Sequence, residues 1–194
     1  MKTSPWNKDR TIGQKRPLQI FHIWGIRIRL ELEGKTRDLA LFNMALDTKL
    51  RGCDLVKLKV SDAAYGSSVS SRATVLQQKT GSPVQFEITK GTREAVTALI
   101  KLGNWHSKGF LFRSRVGTNH HISTRQYNRI FHGWVEKPGL EDSLYSTHSM
   151  RRTKPYLIYK KTKSLRVIQL LLGHKKLEST VRYLGIEVDI EGLF

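Results

Sequence analysis

Cysteine is nearly absent: Cys53 is the single one in 194 residues. No disulfide can close within the chain, and a reducing compartment fits that composition. Neither C-x-x-C nor H-E-x-x-H spacing occurs, which argues against a structural zinc site or a zincin-type centre. No apolar run approaches the roughly 20 residues that span a bilayer. The opening stretch "MKTSPWNKDRTIGQKRP" is basic but has no apolar centre, so it does not read as a secretory signal. No internal repeat is evident.

Acidic residues are also scarce. Sixteen Asp+Glu stand against 34 Lys+Arg, a formal net charge of +18 and a pI near 10.3. The basic residues run through the whole length. That distribution is expected of a globular domain that faces a polyanion, nucleic acid above all. The length suits one substantial core and a short appendage.

Local signals divide the chain. Residues 1–29 read as a basic N-terminal arm that can lie on phosphates, and 30–194 as the folded domain. Thr36 stands where a helix N-cap should, with Asp38 in the first turn. Leu39, Phe42 and Leu46 then recur at helical spacing. Gly52 breaks the pattern. "RATVLQQ" and "VQFEIT" are rich in β-formers and flank "KTGSP", which predicts a hairpin with Lys79 near its tip. "TREAVTALIKLG" predicts a helix stopped by Gly103, and "GFLFRS" a short extended piece. "STRQYNRIFHGWVE" predicts a helix ending before Pro138. Thr147 is the expected cap of a helix starting at His148. Pro155 falls inside that helix, where a proline costs about 3 kcal/mol or bends the axis. "SLRVIQLLLG" runs from a Ser164 cap to a Gly173 stop. The expected class is mainly α with a small antiparallel β-sheet.

Attack on a phosphodiester without a metal needs three things. It needs a nucleophile, fixed cations around the non-bridging oxygens, and a proton donor for the leaving oxygen. Arginine suits the second task because its planar fork binds phosphate bidentately and keeps its charge. The chain offers Arg51 in "TKLRGCD", Lys79 in "QQKTGSP", His148 and Arg151 in "THSMRRT", His174 in "LLGHKKLEST" and Tyr183 in "VRYLG". Singly, each has an ordinary explanation. Arg51 beside Gly52 could offset a helix dipole, Lys79 could be a solvated turn residue, His174 could cap the preceding helix, and Tyr183 could be a core aromatic. The joint order carries the argument.

In that order, and above all in "LLGH" followed by a tyrosine nine residues after the histidine, the chain resembles the tyrosine recombinases, the phage integrase family. The resemblance covers about residues 30–189 and implies that family's catalytic-domain fold. It implies site-specific cutting and rejoining of double-stranded DNA. Tyr183 would attack the scissile phosphate to leave a 3′-phosphotyrosine and a free 5′-hydroxyl. Arg51 and Arg151 would clamp the non-bridging oxygens, and His174 would hydrogen-bond one of them. Lys79 would protonate the leaving 5′-oxygen, and His148 would take and return the tyrosine proton. Asp54 would steady Arg51. No cofactor or metal is implied, because the phosphotyrosine conserves the bond energy. Assembly as a homo-oligomer on DNA, a tetramer in synapsis, and a bacterial cytoplasmic, nucleoid-associated location are also implied.

Some features depart from the family pattern. About 30 residues precede the resemblance, too few for the separate N-terminal helical domain that most members carry. Eleven residues follow Tyr183, a short tail for the exchange between subunits common in the family. With Pro155, these features leave open a catalytically impaired DNA-binding remnant that occupies sites or modulates a full-length recombinase. Nicking and resealing in the manner of type IB topoisomerases is a third reading. Arg152, Lys160, Lys161, Lys175 and Lys176 read as phosphate contacts or plain surface charge.

Overall fold

The computed structural model describes residues 14–66, 68–103, 107–116 and 120–185. Its described elements are nine α-helices, a single 3-10 turn at Asp142–Leu144 and two small two-stranded antiparallel sheets. Helix α1 (Ile20–Leu32) buries Ile23, Ile26 and Leu30, a three- and four-residue spacing that makes one stripe. Helix α2 (Thr36–Thr48) is the centre of the core, with every residue from Ala40 to Thr48 buried. A helix covered all round must be packed on several sides, and α2 touches α1, α5 (Lys90–Gly103) and α7 (Thr147–Thr162).

Short helices α3 (Gly52–Leu55) and α4 (Val60–Ala63) follow. The small sheet of β1 (Ala64–Tyr65) and β2 (Ser68–Val69) comes next. The expected hairpin forms from β3 (Arg72–Leu76) and β4 (Pro83–Glu87), paired from Arg72 with Glu87 to Leu76 with Pro83. Gly81 in its turn has φ 62°, a conformation glycine adopts without a Cβ clash. "GFLFRS" is extended, tied by single bridges from Phe110 to Lys59 and from Arg113 to His121.

Helix α6 (Thr124–Glu136) is capped by Ser123, whose side chain accepts from the Gln126 amide. It buries Tyr127, Phe131, Trp134 and Val135. Trp134 meets Phe42 of α2 edge-on, ring centroids 5.3 Å apart. Each fully buried aromatic of this kind contributes roughly 1.5–3 kcal/mol by its removal from water. Helix α8 (Leu165–Leu172) starts at Ser164, whose hydroxyl accepts from the Val167 amide, and stops at Gly173 with φ 68°. Helix α9 (Leu177–Leu184) stops likewise at Gly185.

Three local expectations are corrected. Thr36 is the first helical residue and not the cap; Lys35 precedes it without a capping side chain. Ser146, not Thr147, caps α7, because Ser146 is extended and its hydroxyl accepts from the His148 amide, while Ser149 answers with a bond from the Ser146 amide. The N-terminal arm does not reach residue 29. Leu18 is fully buried and α1 packs in the core, while residues 1–13 lie outside the described residues. Pro155 lies inside α7, as expected, and the helix continues through it to Thr162.

Candidate active site

The site is assembled where α3, the tip of the β3–β4 hairpin, α7, the α8–α9 turn and α9 meet. Arg51 is the extended residue immediately before α3. Its Nη1 donates to Oε1 of Gln77 at 2.6 Å. Gln77 is buried at the end of β3 and also accepts from Thr80 Oγ1 at 3.1 Å. Asp54 does not hydrogen-bond the Arg51 side chain, as the resemblance implied. One of its carboxylate oxygens accepts from the Gln78 amide at 3.0 Å, and the other is buried without a hydrogen-bond partner. Both first-segment residues therefore grip the hairpin. Lys79 is the next residue along, exposed in the turn.

His148 and Arg151 stand one turn apart on α7, a spacing that puts them on neighbouring positions of one face. His148 is exposed, whereas Arg151 is half-buried and its Nε has no hydrogen-bond partner. Burial pushes the Arg151 guanidinium below its ordinary value. The Tyr183 phenolate opposes that shift, Arg51 adds to it, and Asp54 opposes it. Those influences place Arg51, Asp54 and Tyr183 around Arg151.

The left-handed turn at Gly173 lets His174 leave α8 with its amide bonded back to the Gln169 carbonyl at 3.1 Å. The His174 Nδ1 lies 3.1 Å from the hydroxyl of buried Thr180. Thr180 and Tyr183 are three residues apart on α9, so one helix face holds both the histidine's partner and the tyrosine. The rings of His174 and Tyr183 meet edge-on with centroids 5.6 Å apart. Burial lowers the His174 pKa, and the charge of Arg151 lowers it further. Burial raises the Tyr183 pKa, partly offset by Arg151 and Arg152. The Tyr183 hydroxyl is buried and has no hydrogen-bond partner. Leaving such a group unpaired typically costs about 1–3 kcal/mol.

Of the six residues named from the sequence, Arg51, Arg151, His174 and Tyr183 are brought together. Lys79 is held nearby through its neighbours Gln77 and Gln78. His148 shares a helix with Arg151, but among the described residues no hydrogen bond or ring contact joins it to Tyr183. Arg152 is not plain surface charge. It is half-buried, donates to the Lys15 carbonyl at 2.5 Å and lies 5.9 Å from the centre of the Tyr183 ring. Gln77 and Thr180 were not singled out as site residues from the sequence, and no motif marks their positions. Among the described residues, no three His, Cys, Asp or Glu side chains gather as a metal site would, and no helix is long and apolar enough to cross a membrane.

Comparison with known proteins agrees with this architecture. The chain is 29% identical over 165 residues to the probable integrase/recombinase YoeC of Bacillus subtilis, covering 81% of this chain and 82% of that protein. It is 27% identical to the tyrosine recombinase XerC of Chromobacterium violaceum, over 83% of this chain and 52% of that one. The chain thus spans about half the length of that relative. The fold superimposes on the crystal structure of the XerA recombinase with a TM-score of 0.73 at 19% identity, covering 91% of this chain and 62% of that one. It superimposes on the XerH site-specific recombinase bound to its difH substrate with a TM-score of 0.70 at 16% identity, covering 95% of this chain and 55% of that one. Residues 27–188 match the model of the phage integrase family. The chain belongs to that family, the tyrosine recombinases.

Proposed function

We propose that the chain is a site-specific DNA recombinase that cuts and rejoins strands through a 3′-phosphotyrosine. The gathering of Arg51, His174 and Tyr183 around Arg151 is the observation that carries this reading. A scissile phosphate set among the two guanidinium groups would gain charge-assisted hydrogen bonds as negative charge builds on its oxygens. The Tyr183 oxygen forms the new bond to phosphorus, and the bond from phosphorus to the 5′-oxygen breaks. Lys79 gives that oxygen its proton, and His148 accepts the proton of the tyrosine. Because Tyr183 sits above its ordinary pKa, it needs such a base at neutral pH. Rejoining is the same path reversed.

The partner is double-stranded DNA, bound chiefly through phosphates, a reading that the charge of +18 supports. Two duplexes and several copies of the chain take part, a tetramer in synapsis, in the bacterial cytoplasm at the nucleoid. The experiment is to mix the protein with nicked duplexes of random sequence, in which loss of a short strand traps the attack. Detergent-resistant protein–DNA adducts are counted for wild type and Tyr183→Phe. An adduct formed by wild type and not by the variant supports the reading. Salt-sensitive binding with no adduct from wild type would leave a DNA-binding module in its place.

A further inference from the structure

Residues 14–18 run from the end of the tyrosine helix, which Gln14 touches, to α7. Gln14 Nε2 donates to the Arg182 carbonyl at 2.6 Å. Lys15 Nζ donates to the Ser143 carbonyl at 2.5 Å, and the Arg16 amide to the Leu144 carbonyl at 2.8 Å. The Leu18 amide donates to Thr153 Oγ1 at 2.9 Å, and Leu18 itself is fully buried. The segment is thus pinned at Leu18 and held more lightly toward Gln14, where its bonds are exposed. Arg152 joins it to the active site through the Lys15 carbonyl on one side and the Tyr183 ring on the other. Gly185 shows how closely these groups cover the end of α9. A Cβ there would stand 3.1 Å from Gln14 Oε1 and 3.2 Å from Arg152 Nη2, at a φ of 63°.

The Tyr183 hydroxyl is buried. A phosphate cannot reach a buried oxygen, so α9 must shift before attack. The segment also carries two cations, Lys15 and Arg16, whose side chains a DNA backbone would attract. Building on the strand-cleavage reading above, we infer that Arg152 is a positioning residue: with residues 14–18 it latches the tyrosine helix in a resting position, and DNA phosphates that draw the segment away release it. Coupling of this kind confines the reactive placement of the nucleophile to the DNA-bound protein. It needs that DNA bind the unlatched arrangement more tightly than the latched one, with the bound protein still divided between the two, so that weakening the latch speeds attack even at saturating DNA.

The test uses the full chain with Arg152→Ala, Arg152→Lys and Gln14→Ala. Amide exchange of residues 177–185 is measured without DNA. The rate of adduct formation is measured on a nicked duplex at saturating concentration, so that weakened binding does not enter. The latch predicts faster exchange in α9, with α5 unchanged, for Arg152→Ala and Gln14→Ala. It predicts adduct formation faster by about two- to fivefold, the range that one partly exposed cation–π contact represents. Arg152→Lys, which keeps a cation beside the ring, falls between wild type and alanine. Unchanged exchange in α9, or a rate at saturation that is unchanged or lower, overturns the latch. If Arg152→Ala does not fold, Gln14→Ala, at the surface, carries the same test. If wild type gives no adduct, the cleavage reading fails, and the exchange measurement still decides whether the latch exists.

Discussion

The ring of His174 meets the ring of Tyr183 edge-on at 5.6 Å, and the same histidine's Nδ1 lies 3.1 Å from Thr180 Oγ1, one turn earlier on the tyrosine helix. One histidine is therefore bound to two residues of a single face of α9. Its place depends on two local devices, the Gly173 turn that frees it from α8 and the Thr180 hydroxyl that catches it. Arg151 bears on both rings of the pair, lowering the pKa of His174 and opposing the rise at Tyr183.

The first prediction concerns acid. Burial, and then Arg151, lower the His174 pKa below its ordinary 6.5. Above 6.5 the histidine is neutral in both folded and unfolded chains, and its contribution to stability is intact. As pH falls below 6.5, the unfolded chain takes up the proton first, so stability is lost down to the lowered folded pKa. His22, also lowered by burial, acts in the same direction in every variant. Urea unfolding of wild type and His174→Gln should therefore differ by a constant amount above pH 6.5. Below it, wild type should lose stability relative to the variant. A difference that stays constant down to pH 5 would show that His174 titrates normally.

The proposed nucleophile, Tyr183, should be removable without harm to the fold. The Tyr183 hydroxyl is buried and unpartnered, and deleting an unsatisfied buried group is neutral or favourable. Tyr183→Phe keeps the ring against His174 and Arg152. It should melt at the same temperature as wild type or higher, with a gain of up to about 1 kcal/mol, while forming no adduct. A clear loss of stability would mean that the hydroxyl has a partner, such as an ordered water.

Much of this site was legible in the sequence, for local reasons. The Ser164 cap, the Gly173 stop and the turn residues around Lys79 are short-range signals, and each appears where it was read. The start of the fold was only partly legible: the stretch from Ile23 onward reads as largely helical, but its place in the core does not show. Helix α1 exposes Ile20, Phe21 and Trp24 while burying Ile23 and Ile26, so its apolar residues mark no single face, and the basic residues beside them read as an arm. Gln77 and Arg152 were illegible for another reason. Their partners lie 26 and 137 residues away in the chain, and no local pattern reports a contact at that distance.

Gln77 gives a prediction that separates stability from activity. It is the buried acceptor for Arg51. Gln77→Ala leaves the guanidinium to water and loosens the hairpin tip. The cost should be about 1–2 kcal/mol, the low part of the range for a bond to a charged group, because Arg51 is only half-buried. Gln77→Glu keeps an acceptor for Arg51 and should restore most of that stability. Its carboxylate also neutralises the cation proposed to meet the phosphate, so adduct formation should fall by about tenfold or more, the scale of 1.4 kcal/mol or greater. Equal cleavage by Gln77→Glu and wild type would mean that Arg51 does not act on the phosphate.

Pro155 tests how α7 supports Arg151. A proline has no N–H, and in a regular helix the amide at 155 would bond the carbonyl of residue 151. The helix nevertheless continues from Thr147 to Thr162, with the proline ring buried. Restoring the amide by Pro155→Ala recovers up to about 3 kcal/mol of interior-helix penalty. It gives back roughly 2 kcal/mol for the ring methylenes no longer buried. The variant should thus be more stable by about 1 kcal/mol in urea unfolding, the difference of those two estimates. An unchanged or lower stability would show that α7 bends at this point enough to relieve the clash. In that case the carbonyl of Arg151 points away from the helix axis, and the bend itself helps set the direction of the guanidinium.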